Sequence, residues 1–219
     1  MSTTEEIAQA LIKGNAAKVK ELTNAALAEG LEPKKIIREG FIAGMAVVGE
    51  KFKNNEFYVP EVLIAARAMH AGLAIVKPLI SEKDAESAGS VVIGTVKGDL
   101  HDIGKNLVAM MLEGAGFEVH DLGVDVSAEK YVSSVKEYSA DFVMMSALLT
   151  TTMVNMKDTI KALLEAGLRD KVKVVIGGAP VTDRFAKEIG ADGYAPDSSR
   201  AVEVAKQLMG GAGAAAAAS

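Results

Sequence analysis

The 219-residue chain has three histidines and no cysteine. The missing thiols rule out disulfides, thiolate zinc sites, Cys-ligated iron–sulfur clusters and thiol nucleophiles together. A metal would have to be held by histidine, carboxylate or a prosthetic group. His101 stands two residues after Asp99 in the stretch Gly98-Asp99-Leu100-His101-Asp102-Ile103-Gly104. A metal-bound imidazole is usually oriented by a carboxylate that accepts from its second ring nitrogen, and Asp99 can supply one. Gly98 and Gly104 leave room for a bulky group to approach the backbone. An Asp-x-His can equally well cap a turn, and the pair alone does not separate the two roles.

The elements that would position these residues fall into two halves. From Thr3 to about Leu79 the apolar residues recur at helical spacing. Thr3 with Glu6 fits a capping box, and Gly14 suits the C-terminus of a first helix ending near Lys13. A second helix reaches Gly30. Pro33 opens a third, carrying Ile37, Phe41, Val48 and Phe52 and stopping near Asn54. Pro60 is expected at the first position of a fourth, striped by Leu63, Ala66, Met69, Leu73 and Val76. This predicts a helical bundle over residues 1–84.

Residues 81–89 are polar and read as a linker. Beyond them, apolar runs starting at Val91, Phe117, Asp141, Val172 and Asp192 alternate with helix-length stretches. That alternation predicts five parallel strands, buried on both faces, in a doubly wound α/β domain over residues 90–210. Ligands of such sheets bind outside the carboxyl ends of the strands, where the strand order reverses. The loop after strand one holds Asp99 and His101, and later loops hold Ser146 to Thr152, Gly177-Gly178 and Ser198. The other two histidines, His70 and His120, lie outside these loops. Residues 211–219 are low in complexity and are expected to be an unordered tail.

Composition narrows the function further. A formal charge of -5 without a basic cluster, together with 5% aromatic residues, argues against nucleic acid as a partner. No uninterrupted apolar run reaches the ~18 residues of a membrane span, and the N-terminus lacks a basic start and an apolar run. The expectation is a soluble, cytoplasmic protein without a membrane partner.

Asp99-Leu100-His101-Asp102-Ile103-Gly104, Ser146-Ala147-Leu148-Leu149-Thr150 and Gly177-Gly178 follow one another as do the motifs Asp-x-His-x-x-Gly, Ser-x-Leu and Gly-Gly. In this the chain resembles the cobalamin-binding corrinoid proteins of methanol and methylamine methyltransferase systems. Residues 1 to about 85 are similar to the helical cap domain found in those proteins and in methionine synthase. The resemblance implies a cobalamin whose cobalt is ligated by His101 in place of the cofactor's own benzimidazole. Asp99 would accept from the other imidazole nitrogen, and Thr152 would continue the relay where methionine synthase has a serine. Gly98, Asp102, Ile103 and Gly104 would line the cofactor, with Ser146, Leu148, Thr150, Gly177, Gly178 and Ser198 along the pocket for its nucleotide tail. Phe52 and Val59 fall where the family places the residues covering the methyl-bearing face. In the bundle alone they would read as core.

The implied function is a methyl carrier. Loaded as methylcobalamin, it would serve a substrate-specific methyltransferase and a second methyltransferase acting on a thiol or tetrahydropterin, with a reductive activation protein to rescue oxidised cobalt. The helical domain would swing away on the linker at each transfer. Three other readings compete: a cobalamin-dependent sensor, a carbon-skeleton mutase subunit, and a receiver-like or flavin-binding domain. The sensor reading is weakened by the lack of a basic helix-turn-helix segment.

Overall fold

The described residues of the computed structural model, 2–80 and 87–216, form two compact units, residues 1–87 with 113–116 and residues 88–112 with 117–219. The greater part of the stretch read as a linker, residues 81–86, lies outside the described residues.

The first unit is helical. Helix α1 (Thr3–Ile12) is followed by α2 (Ala16–Ala28), α3 (Pro33–Lys35), a π-helical stretch (Ile36–Ile42), α4 (Ala43–Lys53) and α5 (Val59–Val76). Its first capping box is Ser2 with Glu5, one residue earlier than Thr3 with Glu6. Ser2 Oγ accepts from the Glu5 amide at 3.2 Å, and Glu5 returns a bond to the Ser2 amide at 2.8 Å. Asn15 caps α2 through the Lys18 amide, and Gly14 and Gly30 close the preceding helices with positive φ.

Helices α3 and α4 run on through the π-helical stretch, which inserts extra residues into the helical repeat. The buried face therefore shifts from the expected Ile37 to Ile36, and continues through Phe41, Met45 and Val48. In α5 Val59 takes the first position and Pro60 the second, while Glu61 turns back to accept from the Tyr58 amide at 2.9 Å. The stripe of α5 is rotated as well. Val62, Ala65, Ala66, Met69, Gly72 and Val76 are buried, whereas Leu63 is 41% exposed. Among the described helices, only the stretch Val59–Leu79 has the length and composition to cross a membrane. Its buried face is nonetheless that of a core helix, with Phe41 and Val19 against Gly72. Phe52 ends α4 half-buried and Val59 begins α5 half-buried.

The second unit is a five-stranded parallel sheet in the order β2-β1-β3-β4-β5. The strands are β1 (Ser90–Thr95), β2 (Glu118–Asp121), β3 (Phe142–Ser146), β4 (Lys173–Gly177) and β5 (Gly193–Ala195), joined by α6 (Ile103–Gly114), α7 (Ala128–Tyr138), α8 (Asn155–Glu165) and α9 (Asp183–Ile189). Both faces are buried, as expected of a parallel sheet. Val92, Val143, Met145, Val174 and Ile176 pack into one core with residues of α7, α8 and α9. Val91, Ile93, Phe142, Met144 and Val175 are buried at the alternate strand positions, which point to the opposite face. The closing helix α10 (Ser198–Ala216) runs beyond Gly210 into the stretch expected to be an unordered tail. Alanine has the strongest intrinsic helix propensity, so an alanine run after a formed helix extends it.

Strand order reverses between β1 and β3. The register aligns Thr95 with Ser146, Ser146 with Gly177, and Gly177 with Ala195 across the sheet. The segments that follow these four residues leave the sheet side by side, and the first three carry the sequence motifs.

Gly72 tests how tightly the helical core is packed. A Cβ added there would run into the Phe41 ring, with Val19 Cγ1 3.0 Å away. Gly72→Ala should therefore destabilise the chain by about 1–3 kcal/mol despite alanine's better helix propensity. Chemical denaturation followed by circular dichroism measures this, and an unchanged or raised midpoint would show that the core can yield.

Candidate functional site

Asp99 is completely buried in the loop after β1, and its carboxylate collects four hydrogen bonds. His101 donates to Oδ1 twice, from its ring Nδ1 at 2.7 Å and from its amide at 3.1 Å. The Leu148 amide donates to Oδ2 at 2.8 Å, and the Thr152 hydroxyl donates to the same oxygen at 2.7 Å. Burial pushes the Asp99 carboxyl up, but the bonds from Thr152, Leu148 and His101 outweigh it and hold the group well below the usual carboxylate range. Asp99 is therefore ionised at neutral pH.

An ionised acceptor at Nδ1 fixes the imidazole, because the ring nitrogen that faces it must carry a proton. The His101 side chain is 52% exposed, so it stands between a buried anion and open space. Its main chain is held as well, because the buried Thr95 hydroxyl donates to the His101 carbonyl at 2.8 Å. Thr152 has a second acceptor in the Leu149 carbonyl at 3.0 Å, so one hydroxyl proton serves two oxygens.

The loop backbone is gripped from two further sides. Asn155 donates to the Lys97 carbonyl at 2.8 Å. The Gly98 amide donates to Asp125 Oδ1 at 2.6 Å, and the Asp125 amide donates to the Asp99 carbonyl at 3.0 Å. Below them the buried Lys105 ammonium pairs with Asp121 at 2.5 Å and with Asn106 at 2.6 Å, tying the first turn of α6 to the end of β2.

Asp99, His101 and Thr152, named from the sequence, are thus brought into direct contact. Asp102 accepts from the Asn106 side chain at 3.1 Å and its carbonyl from the Asn106 amide, at the start of α6. Ile103 and Gly104 are exposed beside it, and no heavy atom lies within 4 Å of a Cβ placed on Gly104. Ser146 is half-buried and Thr150 exposed. Gly177 and Gly178 have a reason internal to the fold. A Cβ on Gly177 would approach the Ala195 carbonyl to 2.6 Å, and one on Gly178, at φ 122°, would overlap the Ala147 carbonyl. Ser198 is buried, and its hydroxyl has no partner among the described residues.

Sequence reasoning missed Leu148 as a donor, Asp125, and the pair Lys105–Asp121. The Leu148 amide has no signal in residue type. Asp125 did have one, since an Asp in the loop after the second strand of a doubly wound sheet stands at the ligand edge.

The surroundings fit a large, mostly apolar ligand with one ligating atom. Leu100 (72% exposed), Ile103, Leu148, Leu149 and Val154 are exposed apolar residues on the segments that follow β1 and β3, the two strands at the order reversal. Contiguous exposed apolar residues beside an oriented imidazole mark a binding surface. The Ser198 hydroxyl, at the first position of α10 and without a partner among the described residues, is a group that a ligand's polar atom would satisfy.

Comparison with known proteins identifies the family. Residues 89–203 match a B12 binding domain, and residues 3–77 match a second family model of the same description. The chain is 44% identical over 213 residues to a corrinoid protein of Desulfitobacterium hafniense (strain Y51), covering 96% of this chain and 99% of that one. It is 47% identical over 206 residues to the dimethylamine corrinoid protein of Methanosarcina barkeri, covering 94% and 96% of the two chains. Among solved structures, the methanol:cobalamin methyltransferase complex of Methanosarcina barkeri aligns with a TM-score of 0.88 at 32% identity, over 95% of this chain and 80% of that one. The cofactor of this fold is a corrinoid, and the chain belongs to the B12-binding corrinoid proteins of methylamine and methanol methyltransferase systems.

Proposed function

We propose that this protein is a methyl carrier whose corrinoid is ligated through Nε2 of His101. It would exchange methyl groups with a substrate-specific methyltransferase and with a second methyltransferase acting on a thiol or tetrahydropterin, and a reductive activation protein would be a third partner. The observation that carries this reading is the buried, ionised Asp99 holding the half-exposed His101 ring by Nδ1. The dimethylamine and methanol systems named among its relatives support the partner class.

When bound, the corrinoid supplies a cobalt centre that accepts and releases a methyl group. The chain governs the axial ligand. Asp99 fixes the imidazole tautomer and, as an anion, raises the basicity of the ligating nitrogen. Thr152 and the Leu148 amide keep the carboxylate from turning. If Asp99 took up a proton from solvent, the Thr152 hydroxyl could turn onto the Leu149 carbonyl at 3.0 Å and accept from the new Asp99 O–H, so the pair can accommodate the added proton without moving the backbone. Leu100, Ile103, Leu148 and Val154 would shield the bound corrinoid from water near His101, and Ser146, Thr150 and Ser198 would contact its nucleotide tail.

His101→Ala should retain corrinoid but remove histidine nitrogen from the Co(II) EPR spectrum, read with 15N-histidine labelling. A spectrum insensitive to both the substitution and the isotope would refute His101 as the ligand. Asp99→Asn should keep the cofactor and slow single-turnover methyl transfer by about 10- to 100-fold. Transfer at the parent's rate would remove Asp99 from the relay.

Thr152→Val tests the carboxylate's environment. Losing one hydrogen bond to a buried anion should cost about 1–3 kcal/mol of stability at pH 7. Because Asp99 is held below its unfolded value of ~3.9, its stabilisation is present above that pH and lost as pH falls toward the folded value. The two proteins share an unfolded state, so the gap between Thr152→Val and the parent should hold down to pH ~3.9 and narrow only as pH falls through the variant's folded value, which lies above the parent's. Asp99 carboxyl NMR signals that titrate alike in the two proteins would assign the loss to packing instead.

A further inference from the structure

The loop that carries Asp99 and His101 touches a residue outside all three motifs. Asp125 lies between β2 and α7 and holds a left-handed backbone at φ 54°. In that conformation one residue bonds to both sides of the peptide ahead of Asp99. Its carboxylate Oδ1 accepts from the Gly98 amide at 2.6 Å, and its own amide donates to the Asp99 carbonyl at 3.0 Å. Gly98 is itself left-handed at φ 80°, so its amide is turned away from the strand ladder and Asp125 is its partner. The following residue extends the grip, because the Val126 amide donates to the Thr95 carbonyl at 2.9 Å and Val126 pairs with Val96 in a parallel bridge.

We infer that Asp125 is a positioning residue for the axial ligand: it clamps the Gly98–Asp99 backbone and so sets where the Asp99 carboxylate meets the His101 ring. The contacts of Leu148 and Thr152 fix the far end of the Asp99 side chain, at Oδ2. They do not fix the main chain from which it springs. Without Asp125 the Gly98 amide has no acceptor, the loop backbone is free to shift, and the 2.7 Å bond to Nδ1 is the contact that yields. The inference rests on the His101 reading only for its consequence at cobalt, since the clamp itself is a property of the polypeptide.

Two substitutions separate the hydrogen bond from backbone strain. Asp125→Gly keeps the left-handed conformation easy and removes the acceptor, whereas Asp125→Asn keeps both. The full-length, ligand-free protein is labelled with 15N-histidine, and exchange of the His101 Nδ1 proton with water is measured by NMR. Asp125→Gly should speed that exchange about tenfold or more, the loss expected for a hydrogen bond to a charged group. Asp125→Asn should stay near the parent. Parent-like exchange in Asp125→Gly would overturn the clamp. A variant-independent measurement guards against misfolding: in the parent protein the Gly98 amide should be protected from exchange, and an unprotected Gly98 amide would also overturn the clamp. In the cobalamin-loaded protein, Asp125→Gly should lower the fraction of Co(II) centres showing 15N-sensitive coupling. Parent protein without any such coupling would refute His101 as the ligand, while the proton and amide measurements would still decide the clamp.

Discussion

The structure of the site depends on one buried negative charge. An isolated carboxylate in a protein interior costs several kcal/mol, and it persists only where donors replace the lost water. Asp99 has four such donors, supplied by His101, Leu148 and Thr152. Satisfying that anion fixes the ring of His101, draws the loop after β3 onto the loop after β1, and brings the two together at the reversal of strand order. The arrangement of the sheet can be read as the means of delivering these donors to one carboxylate.

The rest of the sheet unit follows from the same requirement for close approach. Gly178 lets the loop after β4 pack against the carbonyl of Ala147, immediately ahead of the Leu148 amide that bonds to Asp99. The glycine pair therefore serves the backbone packing that presents a donor, as well as any room it leaves for a ligand. Gly98 plays the converse part. Its left-handed conformation turns an amide out of the strand ladder and toward the loop after β2.

Much of this was legible from residue types. The doubly wound sheet followed from five apolar runs alternating with helix-length segments, and Asp99 and His101 stood in a motif in the loop after its first strand, whereas Thr152 was reached only through the resemblance to methionine synthase. Other features have no such signal. The π-helical turn at Ile36–Ile42 shifts the buried face, and its residue types do not distinguish π from α geometry, so Ile36 is buried in place of the expected Ile37. In α5 the near-continuous apolar sequence leaves the phase of the stripe undetermined, and the interior took Val62 in place of Leu63. A backbone donor such as the Leu148 amide is invisible in sequence because every residue but proline has one.

The sheet order has a consequence for how the protein is made. Asp99 lies 49 and 53 residues ahead of Leu148 and Thr152 in the chain. During synthesis the carboxylate emerges well before two of its donors exist, and loop-closure entropy delays long-range parallel pairings of this kind. The nascent loop must keep Asp99 in water until β3 docks beside β1. The imidazole of His101 therefore acquires its full set of constraints only after the chain has passed Thr152 and β3 has paired with β1.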